Sequence, residues 1–166
     1  MKIAVLADNR NQNEAFQTEH GLSIYAETES YCIIMDTGSS DLFMLNANKL
    51  GIDLQNVDYV FISHGHSDHL GGLTYFLDKN EKAKVIMSSE IKNQKYYSKR
   101  EGLHGISVDF DFEKFQGRII FVDEQFNISD DIAIFKNHSF KYQLPKGNST
   151  LCRKEPDGNI IPDDFN

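Results

Sequence analysis

Between Ser63 and His69 the chain reads Ser-His-Gly-His-Ser-Asp-His, which puts His64, His66, Asp68 and His69 within six residues. Imidazole and carboxylate together are ligands for zinc, iron or manganese, and zinc is the first expectation, as one ion or two. His64 and His66 stand two apart, so in an extended segment their side chains share a side and can grip one ion. Asp68 and His69 fall where Leu70, Leu73 and Leu77 begin to recur at helical spacing. There they point a different way, which suits a second ion nearby. A lone histidine is usually a surface or satisfied polar group. Four ligand-type residues packed this tightly at a strand-to-helix turn are read as metal-binding. A bound divalent ion lowers the pKa of its water to about 7, which is the chemistry of hydrolysis.

The elements that must position this cluster follow from hydrophobic pattern. The apolar run 57–62 reads as a buried central strand, Gly65 lets the backbone turn at its end, and a helix runs through about Lys79. Residues 2–7 make a first strand and 8–19 a polar loop. Asp8 is a turn former rather than a carboxylate behind the metal. Residues 22–27 and 31–35 form a hairpin. Asp36-Thr37-Gly38 closes the second of these strands. It is either a plain turn or a site where Asp36 accepts hydrogen bonds from the metal loop and holds it in place. Ser39 or Ser40 caps a helix through Leu50, with Leu42, Phe43, Leu45 and Leu50 on its buried side and Gly51 at its end. Lys84–Met87 is a further strand and 88–100 a short helix. The solvated face of that helix carries Lys92, Lys95, Lys99 and Arg100; a phosphate-facing role for them is the second choice. Residues 106–115 alternate apolar and acidic side chains. The last clear strands are 118–122 and 131–135. After Lys136 the pattern dissolves into a polar tail. The class is α/β with a mixed sheet, as one domain over 1–166.

Bulk properties exclude several roles. The 166 residues are 40% hydrophobic with twelve Phe and seven Tyr, enough for a core. A net charge of −8 argues against nucleic acid as a partner. No apolar run reaches membrane-spanning length and the apolar core of the first strand is too short for a signal peptide, and a cytoplasmic home is the default expectation. Cys32 lies in a strand and Cys152 in a polar loop, which gives no disulfide framework.

With these elements in place, the chain resembles the metallo-β-lactamase fold superfamily, whose hallmark H-x-H-x-D-H is complete at His64, His66, Asp68 and His69. Residues 19–23, 36–38, 50–53 and 63–73 resemble the branch of dihydropterin–ribofuranosylaminobenzene-phosphate synthase-like proteins. The resemblance is dense over 1–100. It implies an αββα sandwich, of which this chain would supply the N-terminal half, a mixed sheet with flanking helices. It implies that His64 and His66 bind a first metal. Asp68 and His69 would bind a second, and Asp68 would also orient the attacking water. Family members add a histidine, a bridging aspartate and a further histidine from the second half of the fold. The Gly-Cys-x-His motif of that half is absent here. His138 is the one late histidine that could stand in, and a loop-surface position is the plainer reading for it and for His104. Half a sandwich would leave one sheet face apolar, so a homodimer or a separate C-terminal half-domain chain is expected to cover it. The resemblance implies a hydrolase acting on a phosphate- or ester-containing small molecule. The alternative is a catalytically incompetent metal-binding or interaction protein. A two-iron redox protein ranks third.

Overall fold

In the computed structural model, residues 1–136, 146–155, 157–163 and 165 are described; His138 lies outside them. The chain opens with β1 (Lys2–Ala7), β2 (Ser23–Glu27) and β3 (Cys32–Met35). Helix α1 (Leu42–Lys49) leads to β4 (Tyr59–Phe61), and the short helices α2 (Ser67–Leu70) and α3 (Leu73–Leu77) lead to β5 (Lys84–Met87). Seven strands follow: β6 (Lys95–Ser98), β7 (His104–Gly105), β8 (Ile119–Phe121), β9 (Gln125–Ser129), β10 (Ile132–Phe135), β11 (Leu151–Lys154) and β12 (Ile160–Pro162).

The main sheet has the order β1-β2-β3-β4-β5-β8. Strands β1, β2 and β3 pair antiparallel, β1 and β2 across the polar loop and β2 and β3 through a short turn. The pairs β3–β4, β4–β5 and β5–β8 are parallel. Parallel neighbours need a crossover, and crossovers of one hand put their helices on one face of the sheet. Register shows which side chains meet them. Tyr25 stands opposite Ile34, Ile34 opposite Val60, and Val60 opposite Val85. All four are buried in one core with Phe43 and Ala47 of α1, Leu70 of α2, and Leu73, Phe76 and Leu77 of α3. At roughly 2 kcal/mol for each large apolar side chain removed from water, this face supplies the main driving force for the half-fold.

The opposite face carries the alternate residues. Val5 pairs with Ile24, Ile24 with Met35, Met35 with Phe61, and Phe61 with Ile86. The described helices pack on the other side. Ile3 and Val5 on the β1 edge keep 60% and 56% of their surface exposed.

Several expectations need correction. The stretch 88–100 is not a helix: one 3-10 turn over Ser89–Lys92 gives way to β6. Lys95-Tyr96-Tyr97-Ser98 alternates exposed and covered side chains as a strand does. Residues 106–115 form no strand. Phe110 and Phe115 stack with ring centroids 5.5 Å apart and turn into the core instead. The late strands β11 and β12 lie where a polar tail was expected, and β9 lies in a stretch with no assigned element. Cys152 is accordingly buried on β11, not in a loop. On α1 the buried residues are Phe43, Asn46 and Ala47, while Leu45 and Leu50 are 49% and 39% exposed. The Ser40 hydroxyl does accept the Leu42 N–H at the start of that helix.

A smaller sheet, β12-β11-β6-β7, stands beside the end of β4. It reaches the histidine loop through Ile106 and Ser107. The Ile106 carbonyl accepts the Ser67 N–H at 2.8 Å, and Ser107 bridges His66.

Candidate metal centre

Strand β4 is extended through Ile62, whose N–H goes to the Ile86 carbonyl. Past it the chain turns, and α2 begins at Ser67. Gly65 serves the turn by lacking a side chain rather than by an unusual backbone angle. A Cβ there would stand 2.5 Å from the Tyr96 ring. Tyr96 in turn packs edge-on against the His66 imidazole, 5.1 Å between centroids.

Three loops are stitched together around this turn. Thr37 donates its N–H and its hydroxyl to the His69 carbonyl at 2.8 and 2.9 Å. Leu22 N–H goes to the Asp68 carbonyl, and Gly38 N–H to the Leu22 carbonyl. Gly72 fits because it has no Cβ: one would meet the Thr37 and Ser40 carbonyl oxygens and the Phe43 ring.

Inside this frame one ligand atom each from His64, Asp68 and His69 lie within 4.8 Å of one another. The His64 ring sits 4.1 Å from that of His69 and 4.4 Å from that of His66, centroid to centroid. The geometry thus gathers His64 with Asp68 and His69 at one point, and His66 stands beside them. Each imidazole has one nitrogen engaged by an oxygen of the protein. His64 Nδ1 lies 2.9 Å from Ser63 Oγ, His69 Nδ1 lies 2.7 Å from Asp36 Oδ2, and His66 Nε2 lies 2.5 Å from Asp163 Oδ2. Occupying one ring nitrogen fixes the ring and leaves the other to act as a ligand. Two imidazoles, each held through Nδ1, converging with one carboxylate fit a divalent ion that favours nitrogen and oxygen.

Asp36 is the hub. It is 1% exposed, accepts the Ser63 N–H at 2.8 Å and the Ser63 hydroxyl at 2.7 Å, and holds His69 as well. Its φ of +57° is the left-handed region, which Asp tolerates better than most residues. The expected role of Asp36 in holding the metal loop is met.

The charges follow. Burial, with the neighbouring His69 and His66, pushes the His64 pKa down to about 3, so its ring is a neutral base at ordinary pH. Burial also pushes His69 down, but hydrogen bonds to Asp36 and Asp68 outweigh it and lift that ring to about 9. Burial raises Asp68, and its contact with His69 reverses this and holds the carboxyl at about 2.

Two neighbours carried no site assignment from sequence. His20 places Nε2 3.4 Å from Asp68 Oδ2, while its Nδ1 meets Asn9 at 3.1 Å. The stretch 19–23 drew attention only as part of a resemblance. Asp163 comes from the far end of the chain, in a stretch, 160–165, that resembles a family segment but offers no residue pattern of its own that marks a site.

Comparison with known proteins follows the same lines. The family model described as the metallo-beta-lactamase superfamily matches residues 18–137. An uncharacterized protein of Methanocaldococcus jannaschii is 25% identical over 99% of this chain and 62% of its own length. A UPF0173 metal-dependent hydrolase of Staphylococcus haemolyticus is 31% identical over 70% of this chain and 52% of its own. The 7,8-dihydropterin-6-methyl-4-(beta-D-ribofuranosyl)-aminobenzene-5'-phosphate synthase of M. jannaschii is 37% identical over 44% of this chain and 27% of its own. Among solved structures, Tm1679, a metal-dependent hydrolase of the beta-lactamase superfamily, aligns at a TM-score of 0.71 and 31% identity over 97% of this chain and 56% of its own. The chain therefore spans roughly half to two thirds of the length of the relatives it matches end to end. With the fold, the histidine loop and a family model covering most of its residues in agreement, this chain belongs to the metallo-beta-lactamase superfamily.

Proposed function

We propose that the chain carries the metal-binding part of a metal-dependent hydrolase acting on a small molecule with a phosphate or ester group. The observation that carries this reading is the convergence of His64, Asp68 and His69 within 4.8 Å, with both imidazoles held from behind by oxygen atoms. His64, His66, Asp68 and His69 would hold a divalent ion, with zinc the first choice and iron or manganese next. When bound, such an ion supplies a Lewis acid and a water acidic enough to ionise near pH 7. The chain's own residues do the rest. Asp68, ionised down to about pH 2, stays a carboxylate that can hold the ion and orient water. Asp36 and Ser63 fix the direction of His69 and His64. The relatives described as metal-dependent hydrolases support the reaction class.

The test pairs metal loading with turnover. Full-length protein reconstituted with zinc should hydrolyse a phosphodiester or ester probe, and His64→Ala and Asp68→Asn should each lower kcat/KM by at least 100-fold. Loaded protein that turns over neither probe, with both variants binding metal as before, contradicts the reading. A metal-binding protein without turnover is the second reading. It is favoured by the size of the cluster, which among the described residues gathers three ligand groups. Tight binding with no hydrolysis of either probe is its signature.

We further infer that the open face of the main sheet is covered by a second copy of the chain. The support is the run of apolar partners across five strands, with Ile3 and Val5 more than half exposed at its edge. Ile86 is itself covered and Ile24, Met35 and Phe61 are half-buried, so the open part of this surface lies toward the β1 edge, where an exposed apolar patch marks an interface. A cytoplasmic setting is proposed with it, in keeping with the free thiols of Cys32 and Cys152.

A further inference from the structure

Asp163 lies ninety-seven positions from His66, yet the two form the shortest side-chain contact around the histidine loop, 2.5 Å from Oδ2 to Nε2. Both are buried: the His66 side chain is 5% exposed and that of Asp163 1%. The position is set on both sides. The Asp163 N–H is held by the Leu151 carbonyl at 3.1 Å, which carries the end of β12 past β11. Its Oδ1 accepts the Phe165 N–H at 3.0 Å. The Phe165 ring then packs against both His64 and His66, at 5.0 and 5.2 Å between centroids.

Oδ1 of Asp163 is thus engaged by Phe165 and Oδ2 by His66. A carboxylate accepts; it does not donate. So the proton between the two groups belongs to His66 Nε2, and the ring's remaining lone pair is on Nδ1, which makes no hydrogen bond among the described residues. His66 also lies against Tyr96, and a half-turn of the ring would put a carbon where Nε2 now meets Asp163, at the cost of that buried hydrogen bond.

We propose that Asp163 is a positioning residue for the metal centre: it fixes His66 as the Nε2–H tautomer and so selects Nδ1 as the ligand atom. This rests on the metal-centre reading above and adds to it a part played by the β11–β12 end of the chain. That segment is then coupled to ion affinity, and not only to fold stability.

The experiment uses the full-length protein. In the metal-free wild type, 15N-correlated NMR of His66 should show Nε2 protonated and Nδ1 bare. In Asp163→Ala the ring should become a mixture of tautomers, and zinc affinity, measured by competition with a chromogenic chelator, should fall by about 10- to 100-fold. Asp163→Asn retains an acceptor and should lose less than about tenfold. It serves as the variant of record if the alanine protein does not fold. A wild-type spectrum with Nδ1 protonated overturns the proposal without any variant. So does a folded Asp163→Ala protein with unchanged zinc affinity while His64→Ala has lost it. If His64→Ala also binds zinc unchanged, the metal-centre reading itself has failed, and this proposal fails with it.

Discussion

Asp36 Oδ2 sits 2.7 Å from His69 Nδ1 and 2.7 Å from Ser63 Oγ, so one buried carboxylate orients groups on both sides of the histidine loop. Removing it should weaken metal binding although Asp36 is not one of the converging ligand groups. Asp36→Ala should weaken zinc binding by about 10- to 100-fold, the usual cost of losing a group that orients a metal-binding histidine. Because Asp36 has a φ of +57°, alanine also adds backbone strain there. Asp36→Asn suits that backbone and isolates the charge. Isothermal titration of both variants with zinc checks this, and Asn should retain more of the stability than Ala.

The metal-free protein should be most stable near pH 6.5. His69 is lifted from 6.5 to about 9, so its stabilisation is complete below 6.5 and is lost as pH rises through 9. His64 is lowered from 6.5 to about 3, so its contribution is complete above 6.5 and is lost as pH falls through 3. Asp68, lowered from 3.8 to about 2, adds a loss at the acid end as pH falls through 2. Thermal unfolding in chelator between pH 4 and 9.5 should show a maximum with both limbs falling, and Asp36→Asn should flatten the alkaline limb. A midpoint that climbs steadily from pH 6.5 to 9 contradicts the assignment of His69.

The parts of this centre that were legible in the sequence are those built from neighbours in the chain. His64, His66, Asp68 and His69 share one turn, and the strand before them and the helical leucines after them signal it by pattern alone. Asp36 was within reach because it ends a clear strand. Asp163 was not. It sits in Pro162-Asp163-Asp164, which reads as polar tail, and its partner is ninety-seven residues away. The same reason hid the small sheet. Strands β6 and β11 are four residues each, too short to show a period, and their pairing joins Tyr97 to Cys152. The alternation over 106–115 misled in the other direction: Phe110, Phe112 and Phe115 serve a turn that packs rings, not a ladder.

Gly72 tests how tightly the three loops are joined. A methyl group there meets two backbone carbonyls and the Phe43 ring, none of which is a flexible chain end. Gly72→Ala should cost about 3 kcal/mol in urea unfolding, at the upper end for overpacking. A loss below about 0.5 kcal/mol would show that the loops can part.

Val5, 56% exposed on the open sheet face, tests the second copy. Light scattering should find a dimer for the wild type, and Val5→Lys should give monomer while leaving the histidine loop able to bind zinc. A monodisperse wild-type monomer contradicts the inference.

The most direct measurement of the account as a whole is the metal content of the purified full-length protein, before and after replacing its ligands. After zinc loading and exhaustive dialysis, the wild type should retain one or two ions per chain by elemental analysis. His64→Ala and His69→Ala, folded by circular dichroism, should each retain less than a tenth of that. Wild-type protein that holds no ion, or variants that hold as much as the wild type, would show that the converging side chains are not a metal centre.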